Sequence, residues 1–126
     1  MMSQNVDLIS GEAGSACTIY RFVVLATDKQ WDMVAGAQGE ADGVCAESQA
    51  TVGGSMPVAT LKQGSILKIE LGASLSAGAV IASDTSGKAI AAVSGAGSYR
   101  LGRLIDGGSS GDIVRFLAAK ELDQVT

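Results

Sequence analysis

Apolar and polar positions alternate most clearly in residues 65–71, "SILKIEL". Leu67, Ile69 and Leu71 fall on one side, while Lys68 and Glu70 fall on the other beside Ile66. A period of two is the mark of a strand with one buried face. The same reading finds short strands along most of the chain. "YRFVVLA" (20–26) is rich in aromatic and β-branched residues, which favour a pleated surface. "DGVCAES" and "MPVATLK" follow, and Pro57 suits the beginning of a strand or a sheet edge. "AVIAS" and "KAIAAV" flank "DTSG", whose Asp, Ser and Gly supply local hydrogen bonds and left-handed dihedrals. Residues 72–92 therefore read as a hairpin, with side chains small enough to let another layer of backbone come close. "YRLGRLI" and "DIVRFLA" complete the sheet across the turn "DGGSSG", and "TDKQWD" reads as a polar turn carrying Trp31.

Residues 1–19 are polar and small and read as an extended N-terminal arm, or over 1–16 as an edge segment, rather than as core. Residues 20–118 read as one β domain, and 119–126 as a C-terminal tail or short helix. "VVLATD" (23–28) resembles "AVIASD" (79–84), and "PVATL" (57–61) resembles "IVRFL" (113–117), both at an offset of 56. Two similar β units packed into one body would account for this. The expected fold is mainly β: a compact single domain like a barrel or sandwich, of β-tulip type, with a two-fold internal repeat. Closure would also remove sheet edges prone to aggregation.

Composition narrows the picture. A chain of 126 residues fits one domain and buries roughly two-thirds of its unfolded surface. The apolar share is 47%, but only five residues are aromatic, so Val, Ile, Leu and Ala must build the core. Seventeen glycines against one proline indicate many tight turns. The net charge of −4, with dispersed bases, argues against nucleic acid or an anionic membrane as a partner. Arg100 and Arg103 form the one close pair, either an anion patch or solvated strand positions. No apolar run is long enough to span a bilayer as a helix, and residues 1–7 lack the pattern of a signal peptide.

The chain has no histidine, so neither a Ser-His-Asp triad nor a Cys-His pair can form. Cys17 and Cys45 follow no metal-binding spacing; they read as reduced thiols or as a disulfide. Glu40 and Asp42 would point the same way on an extended chain, as a carboxylate pair or a solvated turn. "VGGS" and "DGGSSG" lack the lysine and following helix of a phosphate loop. Lys88 follows a hairpin tip, as in biotinyl and lipoyl carriers, but no methionine flanks it. No enzyme activity, cofactor or metal is expected. Trp31 is either a buried ring closing one end of the body or an exposed anchor for a partner. Trp31, Val6, Leu8 and Ile9 are the candidate interface residues.

The run "GASLSAGAVIASDTSGKAIAA", then "RLGRLIDGGSSGDIVRFL", and the earlier "YRFVVLATD" resemble the capsid cement, or head decoration, proteins of tailed bacteriophages. The matching positions are Gly72, Leu75, Ala77, Gly78, Ile81, Asp84, Gly87, Lys88 and Ala89, then Gly102, then Gly111, Asp112, Ile113, Val114, Phe116 and Leu117. The likeness spans roughly residues 18–118. It implies a small β-rich protein on the outer surface of the virion's capsid, bridging neighbouring capsomers. Its partners would be the major capsid protein and itself, as a homotrimer, after synthesis in the host cytoplasm. A non-catalytic carbohydrate-binding or adhesion module is the alternative, and its mark would be an exposed aromatic platform.

Overall fold

The structure is a computed structural model and describes residues 8–26, 29–34, 36–49, 51–93 and 98–123. Short branched runs interrupted by glycine and polar turns can form only short strands, and ten are present among the described residues. They are β1 (Leu8–Glu12), β2 (Phe22–Leu25), β3 (Trp31–Met33), β4 (Gly43–Cys45), β5 (Ser55–Thr60), β6 (Ile66–Glu70), β7 (Val80–Ser83), β8 (Ala89–Ala91), β9 (Ser98–Leu104) and β10 (Ile113–Asp123). These form two five-stranded antiparallel sheets, ordered β1-β5-β4-β2-β3 and β6-β10-β9-β7-β8. The sheets stack as a β-sandwich.

The second sheet repeats the first strand for strand. The pairing of Leu8 with Ala59 recurs as Ile66 with Leu117, and that of Val23 with Met33 recurs as Ile81 with Ala91. Even the isolated bridges recur: Ala13 with Trp31 as Leu71 with Ala89, and Cys17 with Gln49 as Leu75 with Gly108. Equivalent residues are 58 apart, or 59 from β9 into the loop after it. The repeat is therefore real but its offset is not 56. In a strand, a slip of two residues returns every side chain to its own face, so the apolar match survives the wrong register. We call residues 8–60 the first unit and 66–123 the second.

The units do not meet through equivalent faces. Phe22 packs edge-on against Phe116, with ring centroids 5.7 Å apart at 73°. Were the junction two-fold, their counterparts Val80 and Val58 would also meet. Instead Val58 lies in a separate core inside the first unit, with Ala13, Cys17, Val23, Trp31, Cys45 and Met56. The larger core joins one face of the first sheet (Phe22, Val44 and Ala59) to the inner face of the second (Leu67, Ile69, Ile81 and Phe116). The first sheet is thus buried on both faces, and the outer face of the second, with Arg103 and Leu117, is open.

Polar contacts fix the junction. The Phe22 amide donates to the Gly87 carbonyl (2.7 Å), and the Glu70 amide to the Tyr20 carbonyl (2.9 Å). Arg21 Nε donates to Glu70 Oε1 at 3.0 Å, and Nη1 to the Ser86 carbonyl at 3.2 Å. Gln38 bridges the units with its backbone, between Ser83 and Tyr99, and with its side chain, between Ala91 and Val93.

Several expectations change. Residues 8–12 are the edge segment and not a free arm: they form edge strand β1, paired along its length with β5. An edge strand has little to bury, so the stretch needs no alternation of apolar residues. Residues 1–7 lie outside the described residues. The expected C-terminal tail or helix from 119 is, through Asp123, the end of β10, which pairs Glu121 with Arg100 across a bulge. Trp31 stands in β3 rather than in a turn, and Pro57 lies in the interior strand β5. The hairpin at 72–92 is present as β7 and β8. Its small tip explains itself: a Cβ on Gly87 would lie 3.0 Å from the Phe22 carbonyl oxygen.

Gly87 and Gly78 both have left-handed φ, at 81° and 87°, but only Gly87 is crowded. Gly78→Ala should lose the roughly 1–3 kcal/mol of a strained dihedral. Gly87→Ala should lose more, because the turn must also retreat from the first unit. Urea denaturation of both variants checks the order.

Candidate interaction surfaces

The sequence-derived interface residues do not converge. Leu8 and Ile9 are 62% and 42% exposed on alternate faces of edge strand β1. Val6 lies outside the described residues. Trp31 is 4% exposed and fills the first unit's core. A Cβ on Gly11 would come within 2.6 Å of its indole nitrogen, so β1 seals the ring in. Trp31 is therefore no anchor for a partner, and the aromatic platform of an adhesion module loses its one candidate.

The groups considered for chemistry are engaged structurally. Lys120 Nζ donates to Glu40 Oε2 at 2.7 Å and Asp42 Oδ1 at 2.6 Å, tying the carboxylate pair to β10. Burial pushes the Lys120 ammonium down, but the hydrogen bonds to Asp42 and Glu40 outweigh it and hold the lysine above its ordinary value. Lys88 lies 3.7 Å from Glu70. The Asp84 carboxylate closes the turn before it, accepting the Ser86 amide at 2.7 Å and the Lys88 amide at 2.9 Å. "VGGS" and "DGGSSG" are equivalent turns before β5 and β10, with Gly53 and Gly111 both left-handed. Cys17 and Cys45 are buried free thiols. Burial, the largest influence on each, raises both above the usual 9.0. Among the described residues no three His, Cys, Asp or Glu side chains group as metal ligands.

What remains is surface shape. A cleft of about 630 Å³ opens on the first unit, lined by Ser10, Gly11, Glu12, Lys29, Gly53 and Ser55. A smaller one, about 150 Å³, lies on the outer face of the second sheet between Val80, Arg100, Gly102, Arg103 and Ala119. Ile113 and Leu117 stand exposed on that same face at 44% and 41%. Asp106 flanks it and is held by Arg115 Nε at 2.8 Å. That hydrogen bond keeps the exposed carboxyl below its ordinary value. Sequence reasoning named Arg100 and Arg103 but missed both clefts, which exist only once the repeat is aligned in space.

The thiols are protonated in the fold and ionise more readily in the unfolded chain. Stability they contribute is present below pH 9 and lost as pH rises through the raised folded values. Lys120 acts in the same direction. The urea midpoint should hold steady from pH 7 to about 9 and fall above it. In the native protein neither cysteine should react with a thiol reagent at neutral pH; prompt labelling would contradict the burial.

No protein-family model matches this chain, and no curated protein matches it. Among solved structures it is similar to the head fiber gp8.5 N base of bacteriophage phi29, with a TM-score of 0.72 at 15% identity, covering 90% of this chain and 94% of that one. At that identity the likeness is one of fold: this chain has the fold of a phage head fiber base.

Proposed function

We propose that this protein is a structural component of a phage virion that binds the outer surface of the head and bridges neighbouring capsomers. The observation that carries the reading is the near end-to-end match in fold to a head fiber base. It agrees with the separate resemblance of "GASLSAGAVIASDTSGKAIAA" and "GDIVRFL" to head decoration proteins. The engaged state of Lys88, Lys120, Glu40 and Asp42 fits a molecule that works by shape. The partners are the major capsid protein and other copies of this chain, as a homotrimer.

The mechanism is linkage. A protein that binds the assembled shell more tightly than its loose components stabilises the shell by RT ln(1 + [L]/Kd) per site, about 2.7 kcal/mol at a hundredfold excess over Kd. Repetition over many sites makes a modest contact sufficient, and copies held together gain avidity. A rigid body with few reactive groups is what this requires.

Purified protein mixed with undecorated heads should co-sediment to saturation and raise the temperature at which the heads release DNA. Failure to bind heads of the virus encoding it would overturn the reading. Removing residues 1–7 leaves every described strand in place, so a loss of occupancy in that variant would assign them to the shell contact.

A further inference from the structure

The repeat shows how one unit holds the next. In the second unit, the ground around Glu70 and Gly87 is filled by the first unit's Arg21 and Phe22. Arg21 pairs with Glu70, and the Phe22 amide bonds Gly87. The counterparts of Lys68, Glu70, Gly87 and Gly111 in the first unit are Ser10, Glu12, Lys29 and Gly53. These residues line the open cleft of about 630 Å³. Among the described residues nothing fills it.

The complementary surface is open as well. Phe22, Val44 and Ala59 of the first unit lie against the second and are 0%, 3% and 7% exposed. Their counterparts are Val80, Arg103 and Leu117, on the outer face of the second sheet. Arg103 is exposed where Val44 is covered. Charge divides to match. Residues 1–58 hold two bases and seven acids, a net −5, whereas residues 59–126 hold seven bases and six acids, a net +1. The outer face of the second sheet carries Lys68, Arg103 and Arg115 beside apolar Ile113 and Leu117; Glu70 on the same face is paired with Arg21, and Asp106 holds Arg115.

We propose that the first unit's cleft receives the Val80–Arg103–Leu117 face of a second copy of this chain, taking between copies the head-to-tail direction of the internal joint but only its rim, since Val58, the counterpart of Phe116, is already buried with Trp31. Glu12 then faces the arginines beside Val80, which stand on β9 and not at the position equivalent to Arg21, where the second unit has Ala79; Ile9 takes the place of Leu67. The contact is heterologous, so each copy offers both surfaces and copies close into a ring or extend. It deepens the self-association in the proposed function by naming its surfaces. Opposite charge steers the encounter and makes it sensitive to salt.

Sedimentation equilibrium of the full chain tests this. The wild type should associate near neutral pH at low salt and dissociate at about 1 M salt, where the Debye length is about 3 Å. Glu12→Arg, Arg103→Glu and Leu117→Glu should each weaken association at least tenfold, with circular dichroism and melting temperature unchanged. Glu12→Arg mixed with Arg103→Glu should associate again, and so should the double variant, because the swapped charges face each other. Leu117→Glu alone should stay monomeric, yet join Glu12→Arg through the one intact pair of surfaces. A wild type still monomeric at about 1 mM overturns the proposal, as does association unmoved by these changes or a charge swap that restores nothing. Head binding by the same proteins separates the two readings. A wild type that decorates heads while remaining monomeric removes this contact alone. One that associates but ignores heads removes the proposed function alone.

Discussion

The contact between Phe22 and Phe116 orders the rest of the molecule. It joins one face of the first sheet to the opposite kind of face on the second, so the two repeats stack in a common direction. From that follow the double burial of the first sheet, the small tip at Gly87 and the two unsatisfied ends. With five aromatic rings in the chain, placing two of them edge to edge concentrates the largest apolar surfaces at the joint. Replacing either ring by alanine at such a site ordinarily costs about 3–5 kcal/mol. The polar bonds around it, from Arg21, Gln38 and Lys120, set the angle at which the units meet. Because they sit near the surface they contribute modestly.

Much of the fold could be read from the chain, because strands announce themselves by alternation. "SILKIEL" became β6 with Leu67 and Ile69 inward, and "DIVRFLA" became part of β10 with Val114 and Phe116 inward. The repeat was visible too, but its register was not. Alternation is blind to a slip of two, and the positions that fix the offset are bridges such as Cys17–Gln49 and Leu75–Gly108, whose residues share no chemistry. Edge strands were the other weak point. "LISGE" buries no residue, with Gly11 alone half-buried, and "AAKELD" is polar because it pairs only at its side with β9. Trp31 misled for a simple reason. Its neighbours Gln30 and Asp32 are polar, yet in a three-residue strand one inward side chain is enough to make a core.

The surfaces were less legible than the fold. A candidate interface chosen by residue type favoured the tryptophan, which is buried. The surfaces that matter are recognised by comparing equivalent positions: Val44 covered against Arg103 bare, Glu70 occupied by a guanidinium against Glu12 accepting the side-chain amide of Gln30 at 3.2 Å. No single position carries that signal.

The same comparison separates a permanent joint from a reversible one. Gly87 lets its turn reach the backbone of Phe22, whereas its counterpart Lys29 holds the same left-handed geometry, at φ 69°, with a long charged side chain. A turn carrying Lys29 cannot approach Val80 as closely as Gly87 approaches Phe22. Substituting Val80 for Phe22 also removes the ring that meets Phe116. The proposed contact between copies thus lacks both the aromatic pair and the close backbone bond of the internal joint, and would lean instead on Glu12, Arg103 and Leu117. Two units covalently joined need a tight interface to act as one rigid body. Copies that assemble on a shell need one weak enough to be corrected, and the differences between the repeats run in that direction.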